Sequence, residues 1–396
     1  MNKTYLKAGI TILLALLLTA CGKMDDKRKL LEQMQQIQSE YAPDKRTALF
    51  DVTVVDAADA FVLTGESDQP EAVKALNAKL KSENINFKDE IEMLPSKNLN
   101  GKTEALINIS VANLRSQPKH SAELATQATF GTPVKVLKEQ DGWYYIQTPD
   151  RYLAWVDDGG IELMDARAMR NWKTTDKMIY TKTYGHSYED PDRKQPVSDL
   201  VAGNILEIIK YVDAFFIVCY PDGRQAYVSM EEAEPYNAWL EKLMPNADSL
   251  VATSKTLMGV PYLWGGTSTK GMDCSGFTKT VYFLNGMVIP RDASQQVHTG
   301  KAIDSVANFE NLQKGDLLFF GTKATDSTSE KVVHVGIWIG NNEFIHASDK
   351  VRISSIKEDA ENYDEFNRNR YLRTKRILME KDKGLISLLD TPLFKD

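Results

Sequence analysis

The sequence predicts a multidomain α+β protein: a small N-terminal α/β unit, two small β-barrels and a C-terminal α+β domain. Three observations predict it. The chain has 396 residues, 42% of them apolar, which is enough for two or three domains with separate cores. Between residues 103 and 232, short alternating runs are broken by Asp-Gly turns, an all-β signature. Beyond residue 249, helix-spaced and strand-spaced segments mix within one region.

The N-terminus reads Met-Asn-Lys-Thr-Tyr-Leu-Lys, followed by an apolar run from Ala8 to Ala20. That run is too short to cross a bilayer as a helix, and it follows a basic stretch as a secretory signal does. It ends Leu18-Thr19-Ala20-Cys21-Gly22, which resembles a bacterial lipobox. The resemblance implies a lipoprotein signal peptide over residues 1–20. Cys21 is then lipidated and becomes the mature N-terminus, anchored in a membrane of the cell envelope. Gly22 in place of an aspartate weakly favours sorting to an outer membrane.

Residues 21–100 follow as a tether and a small α/β unit. Residues 22–45 are charged and Gln-rich and show no core, so they read as a polar helix or a tether. Asp51–Asp56 and Ala60–Gly65 read as strands. Glu71–Ser82 reads as a helix, with Val73, Leu76 and Leu80 at spacings of three and four.

Residues 103–165 carry Ile107-Asn-Ile-Ser-Val-Ala, Asn113-Leu-Arg-Ser-Gln-Pro, Pro133-Val-Lys-Val-Leu, Trp143-Tyr-Tyr-Ile-Gln and Tyr152-Leu-Ala-Trp-Val. A second, weaker copy runs over 177–232, and both copies end in an aromatic stretch, a Pro-Asp turn and Trp-Val or Tyr-Val. Cys219 lies in an apolar strand of the second copy and reads as an inert buried thiol. Residues 235–248 suggest a helical connector. The C-terminal domain covers 249–378, and residues 381–396 look like a tail.

Composition narrows the function. A net charge of −7 and a pI near 5.5 argue against nucleic acid as a partner. No metal-ligand spacing is present, and nothing calls for a cofactor. The three cysteines, 21, 219 and 274, are widely spaced and odd in number, against a disulfide framework.

The chemistry sits in the last domain. Tyr262-Leu-Trp-Gly-Gly precedes Asp273-Cys-Ser-Gly-Phe277; His334 opens His-Val-Gly-Ile-Trp-Ile-Gly; His346 lies in Phe-Ile-His-Ala-Ser. Asp273 is a good N-cap for a helix over Ser275–Asn285, which puts Cys274 in its first turn. There the helix dipole favours a thiolate, and free N–H groups can hold an oxyanion. The two histidines fall on consecutive β-runs. A three-residue loop, Gly340-Asn341-Asn342, would set Gly336 opposite His346 and leave both imidazoles on one sheet face. Cys274 thus reads as nucleophile, His334 as general base and later acid, and His346 as the group orienting His334. His120, His186 and His298 have no such context and read as surface groups.

These motifs resemble the NlpC/P60 family of papain-like cysteine peptidases, and the barrel motifs resemble bacterial SH3 (SH3b) domains. The resemblance implies a papain-like catalytic domain behind two SH3b-type barrels, and the same three roles for Cys274, His334 and His346. It implies that Tyr262 helps the oxyanion and that Trp264, Asp273 and Ser275 line the substrate cleft. Arg291-Asp292-Ala293-Ser294-Gln295-Gln296 looks like a further family segment. In members with two SH3b domains, the γ-D-glutamyl-L-diamino acid endopeptidases, its aspartate holds the free amine of an N-terminal L-alanine. Asp292 takes that role here, with Tyr152 and Glu123 of the first barrel closing the cleft. Ala293 replaces a serine of some members, so one hydrogen bond of that pocket is missing. The implied substrates are murein peptides such as L-Ala-γ-D-Glu-diamino acid. An N-acetylmuramoyl-L-alanine amidase and a non-catalytic wall-binding protein stay open as alternatives.

Overall fold

A computed structural model describes residues 23–395; the signal-peptide and Cys21 readings lie outside the described residues. Lys97 closes a first compact unit and Asn98 opens a second.

In the first unit, residues 23–41 are helical. Leu30 and Ile37 of this helix are fully buried, packed with Phe50, Phe61, Leu63, Leu76 and Leu80. Of the two readings, polar helix or tether, the helix is the one present, and it builds part of the core. Leu30, Met34 and Ile37 recur at helical spacing, but the surrounding charges mask so narrow a stripe. Strands Phe50–Asp56 and Phe61–Ser67 pair antiparallel. The helix Pro70–Ser82 has proline in its first turn, where the missing N–H costs nothing, and buries Val73, Leu76 and Leu80. Short strands Phe87–Asp89 and Glu92–Met93 then run parallel to the second strand.

The second unit holds both barrels and the C-terminal domain. Each barrel is a seven-stranded sheet, running from Glu104–Ile107 to Ile161–Met164 and from Lys177–Tyr180 to Ala233–Pro235. Ile107, Leu114, Val136, Ile146 and Val156 fill the first; Tyr180, Leu200, Phe216, Val218 and Val228 fill the second. The barrels touch through backbone, with the N–H of Ile205 on the carbonyl of Phe130 at 3.0 Å. Between them lies a helix that the sequence pattern does not announce, Ala166–Thr174, capped by Asp165 and burying only Met169 and Trp172. Two apolar positions are too few to register as a period.

In the C-terminal domain, strands Lys301–Asp304, Tyr371–Arg376, Leu317–Thr322, Lys331–Gly340, Glu343–Ser348 and Lys350–Ser355 form one antiparallel sheet in that spatial order. The helix Cys274–Phe283 lies on it, packing Phe277 and Val281 against Val335, Ile337, Ile345 and Val351. A connector helix, Tyr236–Lys242, precedes Ala247–Thr256, whose start is fixed by a capping box of Asn246 and Ser249. Residues 381–395 are not a loose tail. Ile386–Ser387 pairs with Met287–Val288, and Leu388 and Phe394 are buried with Ile205, Tyr236 and Trp239. Their irregular spacing shows neither a helical nor a strand period.

Candidate active site

Cys274 opens its helix, with the Asp273 carboxylate accepting the N–H of Gly276 at 2.7 Å. That fixes the helix start as the sequence predicts. The thiol, however, is buried, and burial pushes its pKa up to about 12, with the nearby Asp273 charge adding to the effect. The N–H groups of Val335 and Ser275 meet the sulphur and pull the other way. The low thiol pKa expected from the helix dipole is thus overturned: the cost of desolvating a thiolate exceeds what a helix start returns.

Asp273 and Ser275 do not lie open to a cleft; both are buried around Arg291, a guanidinium with 1% of its side chain exposed. Arg291 donates to the two Asp273 oxygens at 3.0 and 2.6 Å, to Ser275 Oγ at 2.9 Å and to Thr126 Oγ1 of the first barrel at 2.9 Å. Asp273 also accepts the N–H of Gly265 at 3.0 Å. One buried cation therefore ties the cysteine turn, the Trp264-Gly265 loop and the first barrel together. Gly265 has φ +78°, and a Cβ there would meet the carbonyl of Leu124 at 2.1 Å, so only glycine lets this loop rest on the barrel.

The histidines meet as their register predicts, though by another turn. The hairpin loop is Asn341-Asn342, both in the left-handed region, with the irregularity at Ile339 restoring Gly336 opposite His346. His334 Nε2 and His346 Nδ1 lie 2.7 Å apart, and His346 Nε2 lies 3.0 Å from Ser354 Oγ. Asp364 Oδ2 stands 3.8 Å from the same nitrogen. His334 Nε2 is thus engaged, and Nδ1 is the ring nitrogen left for the thiol, whose sulphur sits at the N–H one residue further on. Burial drives both imidazoles towards the neutral form, His334 well below its usual value and His346 to about 4. Arg370 and Arg352 push the same way and Asp364 opposes at His346. At neutral pH the resting pair is a thiol and a neutral imidazole.

The first barrel supplies one wall. Tyr152 donates its hydroxyl to Asp292 Oδ2 at 3.2 Å. Glu123 accepts from the indole N–H of Trp264 at 2.8 Å, and Trp264 remains 64% exposed, a ring held out over the loop. Asp292 heads the short helix Ala293–Gln296, with Gln295 accepting its backbone N–H at 3.1 Å. Ala293 is buried in the core. Tyr262 is half-buried, and burial together with the neighbouring Cys274 raises its hydroxyl pKa, so it stays a proton donor. All the predicted site residues of the described chain thus fall in one network. Arg291, Thr126, Ser354 and Asp364 belong to it too, and their positions become meaningful only once the chain is folded. Of the other histidines, His120 and His298 are exposed, while His186 is half-buried between Tyr184 and Tyr188. Cys219 is half-buried and not fully so, with its thiol raised by burial.

Comparison with known proteins agrees with this construction. Residues 259–368 match the NlpC/P60 family, and residues 114–161 match the bacterial dipeptidyl-peptidase Sh3 domain. A γ-D-glutamyl-L-lysine dipeptidyl-peptidase of Bacillus cereus is 32% identical over 231 residues, which span 57% of this chain and 67% of that one. Dipeptidyl-peptidase 6 of Lysinibacillus sphaericus is 27% identical over 267 residues, 64% of this chain and 92% of that one. The crystal structure of an NlpC/P60 family protein from Bacillus cereus superposes with a TM-score of 0.59 at 26% identity, covering 69% of this chain and 99% of that one. With a relative of this identity matched over two thirds of its length, and both domain types in place, the chain belongs to the NlpC/P60 family of peptidases, which are hydrolases.

Proposed function

We propose that this protein hydrolyses the amide between γ-D-glutamate and the diamino acid, diaminopimelate or lysine, of murein peptides, and that it prefers peptides whose N-terminal L-alanine is free. Tyr262 and the helix-start N–H groups hold the substrate carbonyl. The Cys274 thiol gives its proton to His334 Nδ1 and attacks that carbonyl carbon. The tetrahedral intermediate collapses to a thioester as His334 passes the proton to the leaving diamino acid. Water then gives a proton to His334 and hydrolyses the thioester, releasing L-Ala-γ-D-Glu and restoring the thiol. His346 holds His334 in place throughout.

The observation that carries the substrate preference is the contact of Tyr152 with Asp292, which puts a barrel residue and a carboxylate together at one end of the site. A carboxylate there holds an ammonium, and a sugar attached to the alanine nitrogen removes that ammonium. The relatives named above carry dipeptidyl-peptidase names, which fits release of a dipeptide. The same reading places the mature chain on a membrane of the cell envelope through lipid at Cys21; loss of membrane fractionation in Cys21→Ala checks that part.

The experiment is mass spectrometry of the products from L-Ala-γ-D-Glu-meso-diaminopimelate and from its muramic-acid-capped form. Release of the Ala-Glu dipeptide from the free peptide alone supports the reading. Equal turnover of both removes the amine preference, and release of intact peptide from muramic acid replaces the endopeptidase with an amidase.

A further inference from the structure

The base that activates Cys274 has a requirement that its own two neighbours do not meet. For His334 Nδ1 to take the thiol proton, that nitrogen must carry a lone pair, so the ring proton of neutral His334 sits on Nε2. That proton is donated to His346 Nδ1, at 2.7 Å. His346 must then carry its own proton on Nε2, which faces Ser354 Oγ at 3.0 Å. A hydroxyl cannot enforce this, because it donates as readily as it accepts. With the His346 proton on Nδ1 the whole relay reverses, and His334 Nδ1 becomes a donor useless as a base.

Asp364 removes the ambiguity. Its Oδ2 lies 3.8 Å from His346 Nε2, beyond a hydrogen bond but close enough for its negative charge to favour the proton on that nitrogen over one on the more distant Nδ1. The carboxylate is 9% exposed and held by Asn367. It accepts the backbone N–H of Asn367 at 2.9 Å and the Asn367 amide at 2.6 Å. The Asn367 oxygen in turn accepts from Arg370 Nε and Nη2 at 3.0 and 2.8 Å. The Asp364 N–H donates to the carbonyl of Ser355 at 2.9 Å, pinning this segment to the strand that bears Ser354. The charged and titratable groups around His346 are His334 on the preceding strand, Arg352 opposite it on the next, and Asp364 and Arg370 from the segment that follows. Both arginines oppose a proton on the histidines, and Asp364 is the group of this set that favours one.

We propose that Asp364 is a positioning residue of the hydrolytic site, its carboxylate fixing the His346 tautomer that leaves His334 free to accept the thiol proton. The proposal rests on Cys274 and His334 acting as nucleophile and base. It makes the site a four-member relay, Cys274–His334–His346–Asp364, in which a fixed negative charge stands two rings away from the thiol. That charge also stabilises the imidazolium that forms when His334 takes the proton.

The test uses the full chain with Asp364→Asn, which keeps an acceptor for the Asn367 N–H, and with Asp364→Glu, which restores the charge. Two readouts are taken: the pH profile of kcat/KM on the free tripeptide, and the rate of Cys274 alkylation by iodoacetamide. In Asp364→Asn the limiting kcat/KM is expected to fall about tenfold. Its acid limb moves to lower pH, because losing a nearby negative charge makes the imidazoles give up protons more readily. Alkylation at neutral pH slows by about fivefold, because fewer molecules hold the thiolate–imidazolium pair. Asp364→Glu recovers most of both. A fall in rate with an unmoved acid limb, or with unchanged alkylation, means a merely structural role and overturns the proposal. Alkylation needs no wall peptide, so it still reports on Asp364 if the assigned substrate is wrong.

Discussion

Replacing Arg291 with methionine is the sharpest perturbation of the scaffold under the site. The guanidinium is 1% exposed and makes three hydrogen bonds within the cysteine turn and one to the first barrel. Methionine fills much of the volume but leaves the Asp273 carboxylate buried without its counter-charge. Breaking a buried pair from one side costs about 3–5 kcal/mol. Asp273 keeps the N–H groups of Gly265 and Gly276, which places the cost near the lower end, about 3 kcal/mol. The compact unit that begins at Asn98 loses roughly 0.6 kcal/mol of stability per degree near its midpoint at ordinary unfolding entropies, so Tm should drop by about 5 °C. Scanning calorimetry of wild type, Arg291→Met, Asp273→Asn and the double variant measures this directly. The double variant should be less destabilised than its two single changes combined, because no lone buried charge remains. A single-variant shift under about 1 °C, or additive changes, would refute the idea that this pair holds the site together.

Other perturbations report on other parts of the molecule. His346 is depressed to about 4 by burial, so between about pH 6.5 and 4 the unfolded chain binds a proton that the folded one refuses. Stability is therefore lost as pH falls through this window, by about 3 kcal/mol for this residue alone; urea midpoints at about pH 7 and about pH 4.5 should converge in His346→Gln relative to wild type. The same variant should lower kcat about a hundredfold with little change in KM, as expected for a group that orients the base. Tyr152→Phe removes the hydroxyl on Asp292 and should raise KM for the free tripeptide about fivefold while leaving kcat near wild type; a change confined to kcat would contradict a binding role. Phe394→Ala empties a buried ring site beside Tyr236 and Phe283 and should cost about 3 kcal/mol in chemical denaturation.

What the sequence discloses and what it hides divide along physical lines. Cys274, His334 and His346 are legible because a helix cap, two strand periods and a hairpin register are local properties: the register pairs the histidines, and the packing of the cysteine helix on their sheet brings Cys274 to them. The register survives although the loop has two residues and not three, since the irregularity at Ile339 offsets the difference. Arg291 and Asp364 are different. Arg291 heads a segment that resembles a family motif, but its own role shows only when Asp273 and Thr126 arrive from distant segments. Asp364 looks like an ordinary helix cap until the fold sets it behind His346. The thiol shows the same limit in energetic form, because the helix start is written in the chain while the burial that outweighs it comes from the whole domain. Residues 23–41 are legible as a polar segment and 381–396 as a tail, and their apolar side chains acquire meaning only against partners.

Every step of the proposed reaction depends on Cys274 as the atom that bonds the substrate. Intact-mass analysis of the full chain, acid-quenched during turnover of L-Ala-γ-D-Glu-meso-diaminopimelate, tests that most directly. The predicted result is a protein population heavier by one Ala-Glu acyl group, mapped to the peptide containing Cys274 and absent from Cys274→Ala, which also releases no dipeptide. Dipeptide release that persists in Cys274→Ala, or an acyl group mapped to another residue, would contradict it.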